Sequence, residues 1–135
     1  MTANEKVRST SDGNLLVSKS QNFTTAKRPL SECTTRLSVN EYQMSNSAYK
    51  YQASAITPGV TVKIGNNTVP SENYTVSYSN NVNVGTATVT VRATSDGNLL
   101  DSKSQNFTIA KRPLSECTIS LSTTGYDMSN SAYKY

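Results

Sequence analysis

The chain contains no histidine and no tryptophan, and only two of its 135 residues are cysteine. Without histidine, neither a Ser-His-Asp triad nor a Cys-His pair can be assembled, and the histidine-containing zinc sites are excluded too. The nine acidic residues are scattered, and none of them belongs to an Asp-x-Asp-x-Asp-Gly calcium loop. We therefore expect a protein that is not an enzyme and that has no catalytic, cofactor-binding or metal-binding residues.

Long apolar runs and dense patches of charge are also missing. No stretch approaches the roughly 18 apolar residues that a membrane-spanning helix needs, and residues 1–6 lack the apolar core of a signal peptide. The net charge is +4, but the densest basic cluster is only the pair Lys27-Arg28, which recurs as Lys111-Arg112. Because a nucleic-acid backbone requires a stripe of such charges, we expect neither a nucleic-acid partner nor membrane insertion. Any export signal would lie elsewhere in a longer parent protein.

The most informative feature of the sequence is an internal repeat. Residues 8–51 recur as residues 92–135, an offset of 84 residues, with nine differences in 44 aligned positions. Aromatic residues are kept in both copies, at Phe23/Phe107, Tyr42/Tyr126 and Tyr49/Tyr133, whereas Asn40-Glu41 is replaced by Thr124-Gly125. We interpret this pattern as a tandem repeat in which packing residues match and exposed residues drift.

Period-2 alternation predicts the strands of each unit. Val60, Val62 and Ile64 alternate with polar residues, and Gly65-Asn66-Asn67 then supplies a tight hairpin turn. Similar alternation occurs in 74–78 and 86–91, a turn is expected at 95–98, and a strand follows in 102–111. Residues 114–122 are expected to begin the next unit with another strand. About seven short strands per 84 residues predict an all-β fold, a β-sandwich.

The Lys-Arg-Pro-Leu sequence is the best candidate for the junction between units, because proline cannot join a strand ladder. This places one complete unit at residues 30–113. Residues 1–29 would be the C-terminal strands of a preceding partial repeat, and residues 114–135 the N-terminal strands of a following one. The alternative phase takes 8–91 as the domain. Unpaired edges in the partial units favour self-association.

The two cysteines, Cys33 and Cys117, both lie in the sequence Leu-Ser-Glu-Cys-Thr. Equivalent positions in successive domains lie about a domain length apart, beyond the reach of a disulfide. We expect two free, semi-buried thiols.

Several of these segments resemble bacterial immunoglobulin-like tandem surface repeats, which occur in long arrays in secreted and wall-attached proteins of Firmicutes. The resemblance lies in 74–91, in Ala55-Ile-Thr-Pro-Gly-Val-Thr-Val62 and in Phe107-Thr-Ile-Ala-Lys111, and it covers most of the 84-residue unit. The chain departs from the family pattern at Gly97–Leu100 and at Met44–Ala48, where the family commonly has other turns. The resemblance implies an immunoglobulin-like β-sandwich in an extracellular stalk or adhesin, and it brings no set of catalytic or ligand-binding residues.

Two classes of function follow from this reading. The first is a non-catalytic structural spacer, whose partners are the neighbouring repeats of the same chain and which projects an adhesive domain. The second is an adhesion module that binds a glycan or a host protein, with Tyr49 and Tyr51 as its candidate ligand contacts because aromatic rings stack on sugars. A third reading, an immunoglobulin-like decoration of a phage virion, uses the same fold. We favour the spacer and expect a cell-surface or secreted location.

Overall fold

A computed structural model describes residues 2–7 and 19–135 of the protein. In this part of the chain the structure has strands and three one-turn 3-10 helices, with no α-helix. The strands are β1 (Thr2–Val7), β2 (Lys19–Thr24), β3 (Arg28–Pro29), β4 (Thr34–Leu37), β5 (Met44–Ser45), β6 (Ala48–Lys50), β7 (Val60–Ile64), β8 (Asn67–Thr68), β9 (Tyr74–Ser79), β10 (Gly85–Ala93), β11 (Leu99–Leu100), β12 (Ser102–Ala110), β13 (Met128–Ser129) and β14 (Ala132–Tyr133). The 3-10 helices are η1 (Leu30–Glu32), η2 (Ser71–Asn73) and η3 (Leu114–Glu116). The predicted all-β class is confirmed.

The larger sheet has five strands in the order β5-β6-β12-β10-β9. Its centre is the antiparallel pair β10 and β12, in register from Gly85 opposite Ile109 to Arg92 opposite Ser102. The alternation of β10 places Ala87, Val89 and Val91 in the interior, as the sequence predicts. Strand β6 joins the sheet by a short parallel pairing with β12.

The second sheet has three strands in the order β4-β7-β8. Strands β7 and β8 form the predicted hairpin, whose turn contains Gly65 at a φ of 60°. A positive φ costs glycine little, since it has no Cβ. The turn prediction at Gly65-Asn66 is confirmed.

Two apolar clusters lie between the sheets and hold them together. The first contains Leu30, Val62, Val91 and Leu99, and the second contains Tyr49, Val89, Phe107 and Ile109. Because each cluster also takes in the partly buried Val60 of β7, both draw side chains from the two sheets. The arrangement is consistent with the predicted β-sandwich, and every buried residue of the two clusters lies between positions 30 and 109.

One core position contradicts the expectation that only exposed residues drift between the copies. Ile109 is 1% exposed, yet its counterpart in the first copy is Thr25. Both residues are β-branched, so the strand can form in each copy even though the size and polarity of the side chain differ.

The hairpin formed by β5 and β6 turns without glycine. Its two central residues, Asn46 and Ser47, have φ values of 50° and 69°. Positive φ at both central positions defines the turn type that matches the twist of a two-residue hairpin. The same turn recurs at Asn130 and Ser131, with φ values of 49° and 67°. The local sequence therefore sets this turn in both copies.

The expected strand at the start of the second copy is absent. Residues 34–37 form β4 by pairing with β7, whereas their counterparts 118–121 are not in a strand. In the first copy the partner strand β7 follows within the same unit; 118–121 has no counterpart of β7 beside it. The prediction of a strand in 114–122 is thus wrong for this chain, because a strand needs a neighbour to bond.

The left-handed turn predicts a stabilising substitution. Ser47→Gly should increase the free energy of unfolding by roughly 0.5–1 kcal/mol, because a side chain in this conformation costs energy that glycine does not incur. Ser45→Gly, two residues away in β5, should instead lower it by a similar amount. Urea unfolding of the two variants measures both effects, and a loss of stability in Ser47→Gly would contradict the assignment of strain to this turn.

Candidate functional site

The most distinctive surfaces lie where the chain enters and leaves the sandwich. The sequence Lys-Arg-Pro-Leu-Ser-Glu-Cys occurs at both places, at 27–33 and at 111–117. We call these two segments the first and second junction peptides. Each contains the same 3-10 turn, at which the cysteine amide donates to the leucine carbonyl at 3.0 Å.

The first junction peptide is bonded to the sandwich that follows it in the chain. The ammonium of Lys27 donates to the carbonyl of Ser95 at 2.8 Å, and the amide of Arg28 donates to the carbonyl of Asn98 at 3.1 Å. Residues 28 and 29 then pair in parallel with 99 and 100. Leu30 follows, fully buried in the first core cluster. Backbone pairing and burial thus anchor this peptide.

The 95–98 turn, which contacts the first junction peptide, is shaped by the buried side-chain amide of Asn73. Asn73 is 4% exposed, and its Oδ1 accepts from the backbone amide of Asn98 at 2.9 Å. Its Nδ2 donates to the carbonyl of Pro70 at 3.1 Å. A Cβ on Gly97 would lie 2.5 Å from the hydroxyl of Thr94 and 3.1 Å from the Cα of Asn73. The 95–98 turn, whose position the sequence predicts, therefore requires glycine for its close approach to Asn73.

The second junction peptide is bonded to the sandwich that precedes it. The Nε of Arg112 donates to the carbonyl of Tyr51 at 2.6 Å, and its Nη1 donates to Gln43 and, at 2.9 Å, to Glu116. Lys50 forms a second ion pair with Glu116, with Nζ and Oε2 2.9 Å apart. Arg112 is the best-buried cation of this group, with 16% of its side chain exposed. Networks of this kind contribute more than isolated surface pairs do.

The ion pairs shift the acidity of the central carboxylate. The hydrogen bond from Lys50 is the main cause that lowers the pKa of Glu116 below its ordinary value of 4.5, and the charge of Arg112 adds to the effect. Ionised Glu116 is therefore the form that ties Lys50 to Arg112.

The same peptide thus shows two different faces in its two copies. In the first copy the lysine and the backbone contact the following sandwich. In the second copy the arginine and the glutamate contact the preceding one. The residues that make the two sets of contacts are distinct, so a single junction could make both at once.

The two tyrosines proposed as ligand contacts have different environments. Tyr49 is 3% exposed, its hydroxyl donates to the carbonyl of Ser38 at 2.9 Å, and burial raises its pKa. Its ring meets those of Tyr42 and Phe107 edge to face, with centroids 5.4 Å and 5.3 Å apart. The structure places Tyr49 in the core, where its ring cannot stack on a ligand, and this corrects the expectation of a surface aromatic. Tyr51 is half-buried and lines an open depression beside Arg112.

The second copy exposes the side chains that the first copy buries. Leu114 is 78% exposed although its counterpart Leu30 is 0% exposed. Other large apolar side chains of this segment are also exposed: Ile119, Leu121, Tyr126 and Tyr133. We call residues 114–135 the C-terminal half-unit. Its open apolar face is a candidate interaction surface.

The two cysteines differ in exposure in the same way as Leu30 and Leu114. Both thiols are free, as predicted, but Cys33 is buried and Cys117 is exposed. The expectation of two semi-buried thiols is therefore wrong for Cys117, because the strands that cover Cys33 have no counterpart beside the C-terminal half-unit.

Comparisons with known proteins give no relative for this chain. No family model matches it, and neither a curated protein nor a solved structure does. Over the residues described here, no helix is long and apolar enough to cross a membrane, and no group of three or more potential metal-binding side chains comes together.

Sequence reasoning found the junction peptides as a boundary but missed their contacts. The signal was present, since Lys-Arg-Pro-Leu-Ser-Glu-Cys is identical in both copies. Partners such as Gln43 and Tyr51 lie more than 60 residues away from Arg112, and no local pattern links them.

The glutamate at the centre of the second junction predicts a pH effect. The contribution of Glu116 is present above the ordinary carboxyl pKa of 4.5 and is lost as the pH falls through its lowered pKa in the folded protein. Amide order parameters of residues 114–117 should therefore be constant at pH values above 4.5 and decrease as the pH falls through the lowered pKa of Glu116, and in Glu116→Gln they should be decreased already at neutral pH. Glu32→Gln is the matched control, and it should leave residues 30–33 rigid because Leu30 holds them in the core. Unchanged order parameters in Glu116→Gln would contradict this role.

Proposed function

We propose that this protein is a non-catalytic structural spacer, built of immunoglobulin-like units in tandem, from a large bacterial cell-surface or secreted protein. The observation that carries the proposal is the pair of junction peptides, identical in sequence, of which one contacts the following sandwich and the other the preceding sandwich. A spacer must transmit position from one unit to the next. A short junction that contacts the units on both of its sides fixes their relative position.

The phase of the unit is part of the proposal. Both core clusters are complete within residues 30–109, and η1 at the start of this range contributes the buried Leu30. Taking 8–91 as the unit would remove the central strand β12 from its partner β10. These observations favour residues 30–113 over residues 8–91 as the unit.

The short, hydrogen-bonded junction favours a spacer over a flexible linker. Between the last residue of β12 and η3 there are only three residues, Lys111, Arg112 and Pro113. Arg112 is bonded to Tyr51, Gln43 and Glu116, and proline fixes its own φ. Linkers rich in glycine and serine behave as flexible coils, and this junction contains neither between β12 and η3.

A binding module remains the second candidate function, and Tyr51 favours it. This ring lines the depression that also contains Glu41, Gln43, Gln52 and Arg112. Aromatic and polar groups in one open site are suited to a glycan or to a host protein. A glycan array with no signal would exclude glycan binding. Decoration of a phage virion would require the chain to bind a capsid surface.

The spacer proposal is tested by extending the chain. A second copy of residues 52–135 added after Tyr135 should complete the C-terminal half-unit and bury Cys117 as Cys33 is buried now. Cys117 should then change from rapid to slow modification by a thiol reagent in the folded protein. The added cysteine, in the new terminal half-unit, should react rapidly. Cys33→Ser and Cys117→Ser variants assign each rate.

The matched control carries an 84-residue glycine-serine extension, which cannot form strands. In that chain Cys117 should remain reactive. If Cys117 stays equally reactive after the repeat extension, residues 114–135 are not the start of a unit and the tandem spacer proposal fails.

A further inference from the structure

Three aromatic rings form a chain in the core of the complete unit. The ring of Tyr49 contacts Tyr42 on one side and Phe107 on the other, edge to face in both cases. The C-terminal half-unit reproduces the first of these contacts, because Tyr126 and Tyr133 lie 5.3 Å apart at 89°. The hydroxyl of Tyr133 also donates to the carbonyl of Ser122 at 2.6 Å, as Tyr49 does to Ser38. Of the three aromatic rings, the C-terminal half-unit lacks only the phenylalanine.

The counterpart of that phenylalanine is exposed at the other end of the chain. Phe23 in β2 corresponds to Phe107 in β12 and is 47% exposed. Strand β2 pairs with β1 in a register that matches β12 and β10: Ala3 lies opposite Phe23, as Ala87 lies opposite Phe107. We call residues 2–7 and 19–27 the N-terminal half-unit. Its backbone pairing is already that of the complete sandwich.

We propose that the N-terminal half-unit of one molecule binds the C-terminal half-unit of a second copy, with Phe23 packing on Tyr133 as Phe107 packs on Tyr49. This proposal rests on the tandem unit proposed above and names a partner for its two half-units. The occupant of the part of the C-terminal half-unit around Tyr133 is thus another copy of this chain.

Backbone pairing in the complete unit supplies the template for the contact. Ala110 pairs in parallel with Lys50, and the amide of Tyr51 donates to the carbonyl of Ala110 at 2.9 Å. Between two molecules, the same arrangement brings Ala26 beside Lys134, with the amide of Tyr135 donating to the carbonyl of Ala26. This pairing extends the edge at β14, which among the described strands is paired only with β13.

Charge complementarity supports the same arrangement. In the complete unit Arg112 bonds to Gln43, and Lys50 bonds to Glu116. The intermolecular counterparts are Arg28 with Asp127, and Lys134 with Glu32. The glutamine at position 43 is thus replaced by an aspartate, which converts a neutral hydrogen bond to arginine into an ion pair between the two molecules.

The two half-units extend from the junction peptides, which lie at opposite ends of β12. The first junction peptide lies at Asn98 and Leu99, just before β12 begins, and the second starts where β12 ends. Strand β12 has nine residues, a length of about 30 Å at roughly 3.3 Å per residue. Different surfaces at opposite ends form a head-to-tail contact, which propagates into chains.

The test is light scattering with size-exclusion chromatography over a concentration series. The average mass of the unmodified protein should rise above the 14.6 kDa of one chain as concentration increases. Phe23→Ser removes one face and Tyr133→Ser the other, so each variant alone should stay at one chain mass. An equimolar mixture should form a species of two chains and no longer ones, because each variant keeps one intact face.

Val39→Thr is the matched control: this exposed residue is already threonine at position 123 of the second copy, and the variant should assemble as the unmodified protein does. Thermal unfolding checks that the variants keep their fold, since Phe23 and Tyr133 lie outside both core clusters.

A single chain mass at every concentration, continued assembly of either variant, or a mixture that stays monomeric would overturn the head-to-tail contact. Burial of Cys117 in the extended chain does not depend on association. If the protein stays monomeric while Cys117 is protected in the extended chain, the head-to-tail contact is overturned and the spacer proposal is not.

Discussion

Every strand in this protein depends on a neighbour that can bond its backbone amides and carbonyls. Residues 34–37 and 118–121 show the constraint directly, because they are equivalent in the repeat and only the first is a strand. The second has the higher strand propensity, since Ile119 replaces Thr35. High strand propensity does not compensate for a missing partner strand. The backbone groups of an unpaired strand form hydrogen bonds only to water, and they can do the same in any other conformation. Pairing therefore decides where this sequence is folded into sheet.

The sequence could predict those parts of the fold that local patterns determine. Alternation identified the inward faces of β7, β9 and β10, and glycine identified the β7–β8 turn. The turn at Asn46-Ser47 has no glycine, and its geometry could not be predicted from composition. The burial of Tyr49 could not be predicted either, because it depends on Phe107, which lies 58 positions further along the chain. Long-range packing, rather than propensity, accounts for most of what was missed at the candidate site.

The two copies of the junction peptide make their contacts through different residues. Its lysine and backbone are used on one side, and its arginine and glutamate on the other, so the two sets of contacts do not compete. An interface that divides its residues in this way can be repeated without change along an array. In the tandem arrangement that we propose, this division accounts for the identity of the peptide in both copies while other positions, including that of Thr25 and Ile109, differ.

Because the repeated units are nearly identical in sequence, a half-unit can pair either within its own chain or with another chain. In a continuous array the two halves of a unit are joined by the chain, so their pairing is intramolecular and does not depend on protein concentration. A complete unit also supplies β7, β8 and β9, whose counterparts a pair of terminal half-units lacks. Both effects favour completion within one chain, so contact between separate chains is the weaker alternative. That contact should therefore depend strongly on concentration, whereas the fold of residues 30–113 should not.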